Sequence, residues 1–147
     1  GLFYHYVAGV PYAGEPFAKA FSKAPFWPIL VFHFVKEEGK EGRRIGEVTE
    51  SIKTTRTPAP IALLVDDLIT GADSKIEAIH EARKAGCIVR DVLVLIDREQ
   101  GGKEELEKIG VRLHAGFTIT ALLDFYVDQK IIPERKRKEV IDYLLAS

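Results

Sequence analysis

Five apolar residues in a row, Ile61-Ala62-Leu63-Leu64-Val65, run directly into Asp66-Asp67, and that junction constrains the fold more than any other part of the chain. The run is too short for an ordinary helix and too uniformly apolar for a strand with one wet face. A strand covered on both faces fits it, and such strands belong to parallel sheets flanked by helices. Ile29–Val35 reads the same way. Beyond the aspartates, Lys75–Ala85 sets Ile76, Ile79 and Ala82 at helical spacing until Gly86 stops it. Ile88–Ile96 is then rich in β-branched residues and completes a βαβ unit, for which a right-handed crossover is expected. Asp66–Ser74 is therefore expected to be a loop at the carboxyl end of a strand. Open α/β sheets bind ligands there, and the start of the following helix favours a phosphate.

The rest of the chain fits one domain over residues 1–147. A chain of 147 residues, 46% of them hydrophobic, can bury a single core. The net charge of −1 gives no basic surface for nucleic acid. The longest apolar stretches, Phe26–Val35 and Val92–Ile96, fall short of a membrane span. Cys87 is the sole cysteine, so no internal disulfide forms; a buried thiol and a cytoplasmic location are expected. Gly1–Ala8 reads as a strand with no cap before it. The chain is thus expected to begin mid-domain, either as a natural short form or with an N-terminal portion lost. Helices are expected at Lys103–Lys108, Thr120–Gln129 and Glu134–Leu145, and an apolar strand at Val111–Ala115. Gly39–Gly46 combines glycines with basic residues, lacks apolar periodicity and reads as a mobile charged loop. The four histidines lack ligand spacing, so no protein metal site is expected, and His33 reads as a core histidine. Glu134–Lys138 reads as an exposed helix face.

Four segments carry a resemblance. Leu63–Ser74 is similar to the donor-binding signature of the type I phosphoribosyltransferases, in which a strand leads into paired acids and a small, hydroxyl-rich loop. Taken alone, the two acids would more commonly mark a strand-end turn with a helix cap, and the flanking strand and loop weigh against that reading. Thr70 is followed by Gly71-Ala72 where the family commonly has Thr or Ser and then Gly. Either the loop is one residue short or Ala72 replaces a glycine, and a position of positive φ would then be strained by its methyl group. Ala8–Pro16 resembles the diphosphate loop of the same enzymes, most closely that of orotate phosphoribosyltransferases. Val35–Arg44 lies where those enzymes carry a flexible catalytic loop. Lys36 and Gly42 match it, whereas Val35, Gly39 and Glu41 stand for the usual Arg, Lys and His; Lys40, Arg43 or Arg44 supplies charge from a shifted position. Asp97-Arg98-Glu99-Gln100-Gly101-Gly102 resembles the Asp-Arg element that distinguishes the orotate enzymes.

The resemblance implies a Rossmann-like α/β core, with a mainly parallel sheet flanked by helices. It implies phosphoribosyl transfer from 5-phosphoribosyl 1-diphosphate (PRPP) to orotate, with Mg²⁺ held mainly by the donor and water. Lys36, Lys40, Asp66 and Asp67 are the implied catalytic residues. Tyr12, Ala13, Gly14, Thr70, Gly71, Ala72, Asp73 and Ser74 are expected to join the two acids in holding the donor, and Arg98 with Thr70 to hold orotate. A planar guanidinium suits a flat base bearing a carboxylate. A homodimer is implied as well, with the lysine loop reaching the neighbouring site and Phe17 and Phe21 lining the contact. Two alternatives remain: transfer to another base, and a non-catalytic donor-binding protein of the same fold.

Overall fold

The computed structural model describes residues 3–25, 29–39, 42–49, 52 and 58–146. Five strands form a parallel sheet in the order β2-β1-β5-β6-β7: β1 (Tyr6–Gly9), β2 (Leu30–Val31), β5 (Ile61–Ile69), β6 (Ile88–Asp97) and β7 (Arg112–Thr118). A separate antiparallel hairpin joins β3 (Phe34–Gly39) to β4 (Gly42–Val48). The helices are α1 (Glu15–Ser22), α2 (Asp73–Lys84), α3 (Gly102–Lys108), α4 (Ile119–Asp128) and α5 (Glu134–Ala146).

The apolar run in β5 is explained by its two covered faces. Ala62 and Leu64 enter the core that holds Ala78, Ile79 and Ala82 of α2 and Leu106 of α3. Their neighbours Leu63 and Val65 enter a second core with Ala18 of α1. Alternate residues of a strand point to opposite faces, so a strand buried on both must be apolar throughout. Cys87 is buried in the first core, and burial pushes its thiol up to about 11.

Three expectations are corrected. Ile29–Val35 is not one strand: the chain leaves the sheet after Val31, and Phe34 begins the hairpin. Gly39–Gly46 is not simply a loop, because Glu38 pairs with Arg43 and Gly39 with Gly42 across the hairpin. His33 is exposed between the two sheets rather than in the core. Phe17 is half-buried against the second core, which leaves Phe21 as the more exposed of the two phenylalanines.

Candidate functional site: two loops at the carboxyl edge of the sheet

Because β1 and β5 are parallel neighbours, the loops that follow them leave from the same edge. After β1 the chain folds back on itself. Val10 N–H donates to Val65 O at 2.9 Å and Gly14 N–H to Val10 O at 2.9 Å. This path requires glycine: a Cβ on Gly14 would lie 2.2 Å from Val65 O, and one on Gly9 would lie 2.3 Å from the Gly14 carbonyl carbon. The Pro11–Tyr12 peptide is cis. Tyr12 is 41% exposed at the tip of this turn.

The hairpin brings Lys36 over this loop. Its ammonium lies 4.3 Å from the centre of the Tyr12 ring and 2.8 Å from Glu15 Oε1 at the start of α1. A cavity of about 390 Å³ is lined by Pro11, Tyr12 and Ala13, by Lys36 and Arg44 of the hairpin, and by Ser74 of α2. Thus residues from three of the four resembling segments meet at one hollow. Lys40 lies outside the described residues, as does Glu41.

Asp66 and Asp67 do not belong to a loop. Strand β5 runs on to Ile69, with Asp66 opposite Val94 and Ile69 opposite Asp97 of β6. The two acids also differ in their surroundings. Asp66 is 6% exposed, and its Oδ2 lies 2.7 Å from Lys75 Nζ of α2, itself buried. Asp66 Oδ1 accepts the Asp67 N–H at 2.9 Å. Burial raises the Asp66 carboxyl above its ordinary value, while the hydrogen bond and charge of Lys75 oppose that rise. Asp67 is half-buried, and its Oδ1 accepts the Leu68 N–H at 2.7 Å.

Thr70 and Gly71 turn the chain into α2. Ala72 has φ −105°, so its methyl group meets no strain, contrary to the expectation for a glycine-like position. Its N–H donates to Glu105 Oε2 of α3 at 2.6 Å. Ala72 has no side chain that can cap α2, and among the described residues no side chain claims the first-turn amides of Asp73, Ser74 and Lys75. Asp73 is exposed on that turn. This is the arrangement in which a helix start receives an anion.

Arg98 follows β6 on the same edge. Its backbone N–H donates to Ile69 O at 3.0 Å, which fixes it beside the end of the strand bearing both acids. The side chain is half-buried, and among the described residues no hydrogen bond or ion pair claims its guanidinium. Gly101 takes φ +94°, and Gly102 packs so closely that a Cβ would lie 2.5 Å from Thr70 O. The Gly-Gly pair therefore lets the loop after β6 support the loop after β5. Lys75, Glu15 and Glu105 were not identified as site residues from the sequence. Only Lys75 carried a signal, as a charge at the head of the apolar stripe of α2.

No protein-family model matches the chain. The orotate phosphoribosyltransferase of Sulfolobus acidocaldarius is 29% identical over 145 residues, which are 99% of this chain and 70% of that protein. That of Pyrococcus furiosus is 33% identical over 115 residues, 78% of this chain and 59% of that protein. Among solved structures, the Leishmania donovani UMP synthase matches with a TM-score of 0.78 and 26% identity, over 99% of this chain and 30% of that one. The Mycobacterium tuberculosis orotate phosphoribosyltransferase in complex with PRPP matches with a TM-score of 0.64 and 26% identity, over 82% of this chain and 66% of that one. Apart from the S. acidocaldarius protein, the chain spans less than two thirds of each of these relatives.

The parallel sheet with its flanking helices has the fold of a type I phosphoribosyltransferase core. Within that class the chain is similar to orotate phosphoribosyltransferases, at 29% identity over 99% of its own length for the S. acidocaldarius protein.

Proposed function

We propose that the protein transfers the phosphoribosyl group of PRPP to orotate, giving orotidine 5'-monophosphate and diphosphate. The observation that carries this reading is the shared cavity of the Pro11–Ala13 loop, Lys36 and the uncapped start of α2. The amides at Asp73, Ser74 and Lys75 receive the 5-phosphate. Asp67 accepts hydrogen bonds from the ribose diol, and the Tyr12–Gly14 turn with Lys36 faces the diphosphate. The anomeric C–O bond breaks toward diphosphate as the orotate ring nitrogen forms the new C–N bond and gives its proton to solvent. Little covalent work falls to the protein, so positioning and charge stabilisation supply the rate. Arg98 pairs with the orotate carboxylate beside Thr70.

In this reading the donor would carry Mg²⁺, which when bound would offset the charge of the diphosphate. Among the described residues no cluster of three or more carboxylate, histidine or cysteine groups could hold a metal ion. No helix among the described residues is long and apolar enough to cross a membrane. A reducing compartment such as the cytoplasm suits the lone buried thiol.

The direct test is to incubate the pure protein with Mg²⁺, PRPP and orotate, or another base, and to look for nucleotide. Orotidine monophosphate is expected. A nucleotide formed with another base alone would reassign the acceptor. PRPP binding without any nucleotide would favour a non-catalytic donor-binding protein, a reading that the anchoring of Lys36 on Glu15 supports. A homodimer is also proposed, with Phe21 at the contact; sedimentation showing only monomer at micromolar concentration would refute it.

A further inference from the structure

We propose that Lys75 is a positioning residue for phosphoribosyl transfer, holding Asp66 ionised and in one orientation toward the ribose hydroxyls of the donor. The proposal rests on the function proposed above. Residues Lys75, Ala78, Ile79 and Ala82 are the buried residues of α2, at the spacing of a core-facing stripe. A lysine at the head of such a stripe is unusual, because lysine is almost never buried without a partner. Here the partner is Asp66, and the two groups meet at 2.7 Å with side-chain exposures of 8% and 7%.

Replacing a buried ion pair with apolar side chains is often neutral or stabilising, so stability gives this pair little reason to exist. Geometry supplies a better one. Lys75 takes Oδ2 and the Asp67 amide takes Oδ1, which fixes the plane of the carboxylate. Each oxygen keeps a lone pair with which to accept from a hydroxyl. The charged groups facing Asp66 are Lys75 from α2 and Asp67 from its own strand, while β6 presents Val94. Without Lys75, burial and the Asp67 charge would both drive Asp66 toward its protonated form. The carboxyl would then lose acceptor capacity toward the diol. With Lys75 in place Asp66 is neutralised as a pair, and the polyanionic donor meets the charge of one acid instead of two.

The test compares wild type with Lys75→Met, Lys75→Gln and Lys75→Arg. Calorimetry measures Mg²⁺–PRPP binding from mildly acidic to mildly alkaline pH, because burial pushes the Asp66 carboxyl upward and Lys75 opposes that rise. The Asp66 carboxyl is followed by ¹³C NMR in the ligand-free proteins. Lys75→Met and Lys75→Gln should both bind PRPP about tenfold or more weakly at the acid end of that span, with the deficit shrinking as pH rises. Lys75→Arg should recover most of the affinity, and Asp66 should titrate at higher pH in both uncharged variants. The proposal is overturned if either folded, uncharged variant binds like wild type at every pH. It is also overturned by a uniform loss with an unchanged Asp66 titration, which would mean that Lys75 only fills space. Failure of the wild-type protein to bind PRPP would instead refute the function proposed above.

Discussion

Asp66 and Asp67 are adjacent in sequence, yet their burial separates them. Asp67 is half-buried and tied only to a neighbouring amide, so Asp67→Asn should weaken PRPP binding in calorimetry while leaving the melting temperature nearly unchanged. Asp66→Asn removes the partner of a buried ammonium. Such a loss costs about 3–5 kcal/mol, so that variant should lose stability in denaturant unfolding as well as PRPP affinity. The paired acids were visible in the sequence, but their difference was not, because it depends on a lysine that approaches from another element. Arg98 makes a second residue-level case. Its backbone is pinned to Ile69 and its guanidinium has no partner among the described residues. Arg98→Lys keeps the charge and loses the planar fork. Orotate binding measured with diphosphate present should therefore fall by about 1.5–3 kcal/mol, with PRPP affinity unchanged. Equal losses for both ligands would make Arg98 a turn residue.

Among the elements, β5, α2 and β6 were legible because one physical pattern fixed each: two-sided burial in β5, a run of β-branched residues in β6 and an apolar stripe on the helix. The hairpin was not. In β3, Phe34 is buried while Val35 and Lys36 are both exposed, since the pairing slips between Phe34 and Lys36 and breaks the alternation that marks a strand. The end of β5 was missed for another reason. Aspartate is a poor strand former, but pairing with β6 overrides that preference and carries the strand to Ile69. The loop after β1 was recognised from its glycines, and the structure gives their reason. In Gly14→Ala the added methyl group would meet Val65 O at 2.2 Å, so either the loop or β5 must shift. Overpacking of this kind costs about 1–3 kcal/mol. Urea unfolding should show that loss, and diphosphate binding should weaken with it; a variant of wild-type stability would mean that the loop relaxes freely.

Taken whole, the molecule carries its candidate site at the carboxyl edge of the sheet and fastens the opposite edge to itself. Asp91 near the start of β6 is 1% exposed and lies 2.7 Å from His114 Nε2 and 3.0 Å from Arg112 Nε, both on β7. Tyr4, which precedes β1, donates its hydroxyl to the same carboxylate. One buried acid thus joins the chain before β1 to β6 and β7, and stability at extreme pH should depend on it. Burial works against ionisation of Asp91, but hydrogen bonds from His114, Tyr4 and Arg112 outweigh it and hold the carboxyl below its ordinary value. A depressed carboxyl contributes stability above its unfolded pKa and loses it as pH falls through the folded value. Tyr4 acts at the other extreme. Burial first, and then the Asp91 carboxylate, push its hydroxyl up to about 12 from 10.0, so its contribution is present below pH 10 and is lost as pH rises toward about 12. Melting temperature measured across pH should therefore fall at both ends. Asp91→Asn should remove part of the acid decline and Tyr4→Phe part of the alkaline one, each at some cost near neutrality because a buried hydrogen bond is lost. If Tyr4→Phe leaves the alkaline limb as steep as in wild type, Tyr4 is not what limits stability there, and the fastening of this edge must lie with Arg112 and His114.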